Sequence, residues 1–138
     1  MRLLITDPTA VVADHDDVTS VRAEDESGSF GILEGHADLL TVLAVSVVSW
    51  RRANGEAGYC AVRHGVLSVQ GGRQVAIATR QAQLGSDLED LEASVLSRFR
   101  ADAESEASGR VAAMRLHTQA IRRIVEALRP ERRMEIGT

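Results

Sequence analysis

The feature that most constrains the fold is a change of hydrophobic period near residue 82. Before it, apolar and β-branched runs of four to seven residues alternate with Gly, Asn and Asp, which is typical of short strands. After it, apolar residues recur every three or four positions, the spacing of one helix face. We therefore expect an all-β part, residues 1–82, followed by a helical part, residues 83–138.

Strand-like runs in the first part are separated by residues suited to tight turns. Asn54-Gly55 and Gly71-Gly72 fit hairpins whose central residues need positive φ. Many short strands with frequent turn signals predict an antiparallel β-sandwich or barrel. The candidate strands are Arg2–Thr6, Val18–Ala23, Thr41–Val45, Val47–Arg52, Gly58–Val62, Val66–Gln70 and Gln74–Thr79.

The second part contains two helical stripes, which predict helices at about 86–107 and 110–129. Ser86 is the expected N-cap, a break is expected at Glu106–Gly109, and Pro130 ends the pattern. A short connection of this kind predicts an antiparallel helical hairpin with a short C-terminal tail. The stripes are Leu84, Leu88, Leu91, Val95 and Phe99, then Val111, Met114, Thr118, Ile121, Val125 and Leu128.

Charge is divided between the two predicted helices. Residues 85–108 carry seven acidic side chains and two Arg, whereas residues 109–138 carry seven Arg and three Glu. Exposed ion pairs contribute only about 0–1 kcal/mol each, so apolar contacts must supply most of the docking energy. The hairpin is therefore expected to be detachable.

Composition excludes several classes of protein. The chain has 16 Arg, no Lys and 20 acidic residues, a net charge of −4, which argues against nucleic-acid binding. The longest uncharged run, Leu39–Trp50, has 12 residues and is too short to cross a bilayer. Met1–Ile5 is too short for a secretory signal. The single Cys60 is expected to be a small buried hydrophobe rather than a nucleophile.

The segment Gly28–Ala37, Gly-Ser-Phe-Gly-Ile-Leu-Glu-Gly-His-Ala, resembles a motif of the epsilon subunit of F-type rotary ATP synthases. His64–Val69 and Val75–Ala78 look like two further strands of that family. The resemblance covers the chain to about residue 130 and implies a β-sandwich of about ten short strands with a C-terminal two-helix hairpin. Residues 80–89 and Phe99-Arg100 look closer to the alternative, N-type branch of these ATPases.

Two departures from the family's strand and loop motifs are visible. Glu34 replaces the usual Pro, and His64 stands where the family has Gly.

A third difference concerns ATP binding. Some members bind ATP on the hairpin through a motif that would fall on Leu88–Ala93, but here Glu89 and Glu92 replace its Asp and Arg. An anion in place of the phosphate-facing cation opposes ATP binding, so we expect no ATP site and no other cofactor.

The resemblance also implies a role and partners. It identifies a non-catalytic central-stalk subunit that couples ion-driven rotation to ATP synthesis or hydrolysis, at the cytoplasmic face of the bacterial plasma membrane and membrane-associated only through its complex. Residues 1–82 would bind the gamma subunit and the c-ring, and an extended hairpin would contact the catalytic β subunit and restrain hydrolysis. The implied contacts are Ser29, Phe30, Glu34, Gly35 and His36 for gamma and the ring, and Arg115, Arg122 and Arg123 for β.

Other interpretations remain open at this level. His36 could meet the ring or could order only its own loop. Asp14–Asp17 could be metal ligands, but a solvated turn is the better interpretation because adjacent side chains point in different directions. Ser68 and Ser86 lack a positioned base. A free-standing β-sandwich ligand-binding module, with the helices as lid or dimerisation arm, is the alternative, and a small hydrolase using His36 or Asp14–Asp17 comes third.

Overall fold

The computed structural model describes residues 1–128, in which ten strands precede a helical segment. The strands form two five-stranded sheets packed as a sandwich, which confirms the predicted fold of the first part. The strands are β1 Arg2–Thr6, β2 Val11–His15, β3 Val18–Asp25, β4 Gly28–Leu33, β5 Leu39–Val42, β6 Ser46–Arg52, β7 Ala57–Arg63, β8 Val66–Gln70, β9 Gln74–Ala78 and β10 Gln81–Gly85. The helical segment consists of α1 Leu88–Asp90, a π-helical turn Leu91–Leu96 and α2 Ser97–Ala127.

Strand order makes β2 and β5 the edge strands of the first sheet, and β10 and β4 those of the second. The first sheet has the order β2-β1-β9-β8-β5 and the second β10-β7-β6-β3-β4. Neighbouring strands are antiparallel except β1 and β9, which run parallel. The two predicted hairpins are confirmed as β6–β7 and β8–β9, with Gly55, Gly71 and Gly72 at positive φ.

The core lies between the sheets, and alternate residues of strands such as β1, β6, β8 and β9 build most of it. Leu3 and Ile5 of β1, Leu67 of β8 and Val48 of β6 are fully buried. A fully buried aliphatic side chain stabilises a fold by about 1.5–3 kcal/mol. The period-2 pattern of the sequence therefore marks the residues that hold the sandwich together.

Three strands were not predicted, and one predicted strand is shifted. The sequence pattern does not mark β2 as a strand because Asp14 interrupts its apolar run, and it does not mark β4 because two glycines do so. In the structure, β2 is hydrogen-bonded to β1 and β4 to β3. Gln81–Gly85 pairs with Tyr59–Arg63, so the expectation that helix begins at residue 83 is wrong. β5 ends at Val42 rather than Val45.

The helical segment begins by covering the outer face of the second sheet. Leu91, Val95, Leu96 and Phe99 are buried there in a cluster with Ala61. The wider π-helical turn brings residues five apart onto one face, so Leu91 and Leu96 are both buried. The N-cap is Asp87, whose carboxylate accepts from Glu89 N at 2.9 Å, and not Ser86 as predicted.

The expected two-helix hairpin is wrong, because α2 continues through the predicted break at Glu106–Gly109. A lone glycine in a helix interior costs only about 1 kcal/mol. Gly109 lies between the good helix formers Ala107 and Arg110 and is not among the glycines with positive φ. The chain therefore has no local reason to reverse direction there.

The chain divides into two units, Met1–Arg100 and Ala101–Thr138. The first contains the sandwich and the first turns of the helical segment. In the second, residues 101–128 are helical to Ala127 and largely exposed. The predicted helix end at residue 129, Pro130 and the tail lie outside the described residues.

Candidate functional site

The structure brings only part of the Gly28–Ala37 segment to one end of the sandwich. Glu34, Gly35 and His36 form the loop between β4 and β5. Ser29 lies near the opposite end of β4, about 16 Å from Glu34 along the strand at about 3.3 Å per residue. Phe30 is half-buried and packs against the core. Ser29 and Phe30 are therefore not part of the surface that presents His36.

The loop Glu34–Asp38, which we call the His36 loop, is fixed to the β8–β9 turn of the first sheet. Gly35 N donates to the Gly72 carbonyl at 2.7 Å, and Gly71 N donates to Asp38 Oδ1 at 2.9 Å. A Cβ placed on Gly72 would lie 2.7 Å from Gly35 Cα. The two backbones thus touch at a distance that only glycine permits.

His36 is tied to the backbone of its own loop. Its Nδ1 donates to the Ala37 carbonyl at 2.6 Å, and its backbone N donates to the Leu33 carbonyl at 3.1 Å. Because a carbonyl can only accept, Nδ1 carries the proton and Nε2 is the acceptor of the neutral ring. The ring therefore orders the loop and still has one nitrogen for a partner.

Charged groups at this end of the sandwich are largely paired with one another. Arg52 Nε and Nη2 donate to both oxygens of Asp17 at 2.9 and 3.2 Å, and this hydrogen bonding holds the pKa of the Asp17 carboxyl below its usual value. Arg2 binds both oxygens of Asp14 at 3.0 Å. Glu34 lies 3.9 Å from Arg73, with both side chains mostly exposed, so this last pair is weak.

The Asp14–Asp17 segment is thus engaged by arginines. Within residues 1–128, no group of three or more His, Cys, Asp or Glu side chains is arranged to hold a metal ion. His15 instead lies beside the ring of Trp50, with centroids 6.0 Å apart. The segment comprises the end of β2 and the β2–β3 turn, and it anchors neighbouring strands.

A second surface of interest is the outer face of the first sheet. Leu40 and Val42 of β5 are 74% and 67% exposed, and Val66 of β8 is 40% exposed. The residues that pair with them across β8, β9 and β1 on the same face are uncharged. We call it the first-sheet face; its apolar residues are Leu4, Leu40, Val42, Val66, Ala76 and Ala78, and Ser68 and Thr6 lie among them.

The two sheets differ in what covers them. The outer face of the second sheet is partly covered by Leu91, Val95 and Phe99, whereas the apolar residues of the first-sheet face remain open. An open cleft of about 760 Å³ lies beside β5, with Leu40, Val42 and Val66 in its wall. An exposed apolar area of this kind usually marks a protein interaction site.

The sandwich's one thiol is unsuited to nucleophilic chemistry. Cys60 is fully buried in β7, and burial raises the pKa of its thiol to about 11. At neutral pH the side chain is therefore a neutral thiol packed in the core.

The three predicted arginines of the helical segment do not share one side of α2. Arg115 and Arg122 are seven residues apart and lie about 20° apart around the helix, whereas Arg123 is rotated about 100° from Arg122. All three are exposed. A single straight partner surface can therefore meet Arg115 and Arg122 together.

Sequence reasoning missed the residues that hold the His36 loop, namely Asp38, Gly71 and Gly72. The glycine pair signalled a hairpin, which is correct, but its contact with Gly35 joins strands of different sheets. No local pattern encodes such a contact. No helix among residues 1–128 is long and apolar enough to span a membrane.

Comparisons with known proteins agree with this arrangement. The family model described as "ATP synthase, Delta/Epsilon chain, beta-sandwich domain" matches residues 1–85. The "ATP synthase epsilon chain 2" of Paraburkholderia xenovorans is 42% identical over 132 residues, covering 96% of this chain and 95% of that protein. The "ATP synthase epsilon chain 2" of Cereibacter sphaeroides is 42% identical over 128 residues, covering 93% and 88%.

Similar folds occur in solved rotary complexes. A chain in the cryo-EM structure of the Tetrahymena thermophila mitochondrial ATP synthase central stalk and c-ring has a TM-score of 0.56 at 18% identity, covering 87% of this chain and 95% of that chain. A chain of the Euglena gracilis mitochondrial ATP synthase has a TM-score of 0.57 at 22% identity, covering 78% and 62%. At these identities the likeness concerns the fold alone.

Proposed function

The chain belongs to the delta/epsilon-chain family of ATP synthases, and on that premise we propose that it is a non-catalytic subunit of the central stalk of an F-type ATP synthase. Its role is to couple ion-driven rotation to ATP synthesis or hydrolysis in other subunits. The sandwich, through β10, forms the module that binds the rotor, and α2 forms an arm that acts on hydrolysis. The segment 80–89 and Phe99-Arg100 resemble the alternative, N-type branch of these ATPases, and the proposal includes that branch.

The single observation that carries the proposal is the presence of two distinct surfaces on one stiff sandwich. The first-sheet face is apolar and exposed, and the His36 loop closes one end through backbone contacts. A coupling subunit must transmit torque between two partners without deforming. A closed double-sheet core with hydrogen-bonded end loops meets that requirement.

The first-sheet face is suited to the gamma subunit. Leu40, Val42 and Val66 can be buried against an apolar surface of the shaft, and the small Ala76 and Ala78 allow a close approach. Removing these apolar side chains from water is favourable, which supports this face as the contact with the shaft.

The His36 loop is suited to the c-ring. Glu34 and His36 provide one carboxylate and one imidazole nitrogen on a loop fixed by Gly72 and Asp38. A ring loop that offers hydrogen-bond donors would find these acceptors already in position. The complex would hold the chain at the cytoplasmic face of the bacterial plasma membrane.

The helical arm would restrain ATP hydrolysis by contact with the catalytic β subunit. Arg115 and Arg122 share one side of α2, and Arg123 extends the basic surface around the helix. Guanidinium groups are well matched to carboxylates of a partner segment. The arm would act as one helix rather than as a hairpin.

A binding experiment tests the shaft surface. Leu40→Arg places a charge in the first-sheet face and should abolish capture of gamma by the chain, because a buried unpaired charge costs several kcal/mol. Leu84→Arg, at a residue 49% exposed on β10 of the other sheet, is the matched control and should leave capture intact. Equal capture by both variants would contradict the proposed surface.

A hydrolysis experiment tests the arm separately. The combined change Arg115→Ala, Arg122→Ala and Arg123→Ala should raise the hydrolysis rate of the reconstituted ATPase severalfold, since it removes the contacts that restrain the catalytic subunit. Arg22→Ala with Arg51→Ala, on the sandwich, is the control. An unchanged rate for the triple variant would overturn the restraining role and leave the coupling role standing.

A further inference from the structure

The described part of the second unit carries an exposed apolar stripe along α2. Val111, Met114, Ile121 and Val125 are 48%, 71%, 47% and 44% exposed. Thr118 joins them, because its hydroxyl donates to the Met114 carbonyl at 2.9 Å and is thereby satisfied within the helix. At about 100° per residue these side chains share one side of the helix. A helix with such a side needs a surface to cover it.

In an antiparallel pair of α2 helices, the small residues of one stripe would lie opposite the larger residues of the other. Ala103 and Ala107 extend it towards the helix N-terminus, so its first half is small and its second half is large. When two copies of α2 run antiparallel about a point between Val111 and Met114, Ala103 lies opposite Ile121 and Ala107 lies opposite Thr118. Small residues opposite large ones let two helices interdigitate.

The charges beside the stripe are complementary in the same register. Glu104 and Arg122 are separated by 18 residues, or five helical turns, so they lie on the same flank of the stripe. In an antiparallel pair, each flank faces the same flank of the other helix. Glu104 therefore meets Arg122 of the second copy, and two-fold symmetry makes this contact twice.

A shallow depression beside the stripe can receive a side chain from the opposite helix. It is lined by Val111, Met114, Arg115, Thr118, Gln119 and Arg122. In this register Met114 of the second copy lies opposite Val111, at the edge of the depression. Helix pairing by side chains inserted into such depressions is the usual packing of two-stranded coiled coils.

From this size and charge complementarity, we propose that a second copy of the chain covers the stripe in the free protein. The result is a two-fold symmetric, antiparallel dimer through residues 103–122. The pairing does not depend on the proposed function, and it competes with any partner that α2 meets in an assembled complex. About three heptads of contact lie near the lower limit for a stable coiled coil, so the dimer forms weakly and its population follows protein concentration.

Sedimentation equilibrium of the isolated full chain tests the pairing. The mass should rise with concentration from 14.9 kDa towards twice that value. Met114→Glu places a charge in the centre of the stripe and should weaken the dimer by at least about tenfold, or 1.4 kcal/mol. Leu116→Glu is the matched control, because Leu116 is 69% exposed against 71% for Met114 and points away from the stripe. The control should change the dimer dissociation constant by less than about twofold.

Charge reversal tests the register. Glu104→Arg and Arg122→Glu should each weaken the dimer severalfold because they place like charges together, and the double variant should recover most of the loss because the pair is restored in the opposite sense. Circular dichroism on dilution provides a second readout, since α2 should lose helicity as the dimer dissociates.

Several results would overturn the proposal. A mass that stays at 14.9 kDa at all concentrations would exclude the dimer. That result is expected if α2 folds back on itself or if only another subunit covers the stripe. Equal weakening by Met114→Glu and Leu116→Glu would indicate unspecific association. A double reversal that recovers nothing would exclude the antiparallel register. Capture of gamma is measured separately, so failure here leaves the proposed function untouched.

Discussion

At the scale of single residues, the position of the His36 loop depends on two glycines that are far apart in the sequence. Gly35 and Gly72 bring their backbones together where the two sheets meet. The sequence allowed the β8–β9 hairpin to be predicted from Gly71-Gly72, since positive φ is a local requirement. Contact with Gly35 depends on how the sheets pack, which local pattern does not encode.

Gly72→Ala should lower the free energy of unfolding by about 2–5 kcal/mol. Positive φ costs an alanine about 1–2 kcal/mol, and its Cβ would meet the Gly35 backbone, which adds a packing penalty of about 1–3 kcal/mol. Gly71→Ala is the matched control, with similar φ and nothing within 4 Å of its Cβ, so only the backbone term applies. Urea unfolding of the two variants compares the costs. Equal losses would show that the contact with Gly35 does not constrain the loop.

A second prediction concerns Asp25, which links the β3–β4 turn to β5. Its carboxylate accepts from the Ser27 hydroxyl and backbone N, and from Thr41 Oγ1 at 2.7 Å. These hydrogen bonds, first that of the Ser27 hydroxyl, hold the pKa of Asp25 below its usual 3.8. The stabilisation is complete above the unfolded pKa and is lost as pH falls through the folded one.

Unfolding free energy should therefore decline below about pH 4, and Asp25→Asn should make the decline shallower while lowering stability at pH 7. The pKa values of Asp14 and Asp17 are also lowered, by hydrogen bonds from arginines. The unfolding free energy of Asp25→Asn should therefore still fall somewhat at low pH. Glu26→Gln removes a neighbouring charge and none of the three hydrogen bonds. If the two variants show the same pH profile, Asp25 does not lock the strands.

At the scale of elements, the strand pattern was a better guide than the helix pattern. Period 2 located most of the sandwich because one face of each strand is buried. The helical stripes located most helical residues, although Leu84 lies in β10. They did not locate the connection, because a lone glycine and a change of charge sign resemble a break. Helix geometry tolerates both, so the predicted hairpin is one helix instead.

Gly109→Ala distinguishes a continuous helix from a hairpin. A Cβ at Gly109 meets nothing within 4 Å, so alanine should raise helicity and stabilise the helix around residue 109 by about 1 kcal/mol. A glycine at a turn between two helices would instead resist the change. Circular dichroism and amide hydrogen exchange of residues 105–113 measure the effect. Reduced helicity or faster exchange in the variant would contradict the continuous helix.

At the scale of the whole molecule, the chain combines a stiff sandwich with a largely exposed helix. The sandwich has a conventional core and two surfaces with different chemistry, one apolar face and one end loop with hydrogen-bond acceptors. The sequence motif pointed to the end loop, although Ser29 and Phe30 lie elsewhere. The first-sheet face could not be predicted, since Leu40, Val42 and Val66 look like core residues until the strand register shows which side they face.

The central claim is that this chain is a stalk subunit that binds the rotor shaft, and affinity capture tests it most directly. The full chain, co-expressed with the gamma and ring subunits of the same ATPase, is purified through a tag and its companions are identified by mass spectrometry. We expect gamma at about one copy per chain, retained at high salt because the first-sheet face is apolar, and lost with Leu40→Arg. Recovery of the folded chain without gamma would contradict the account.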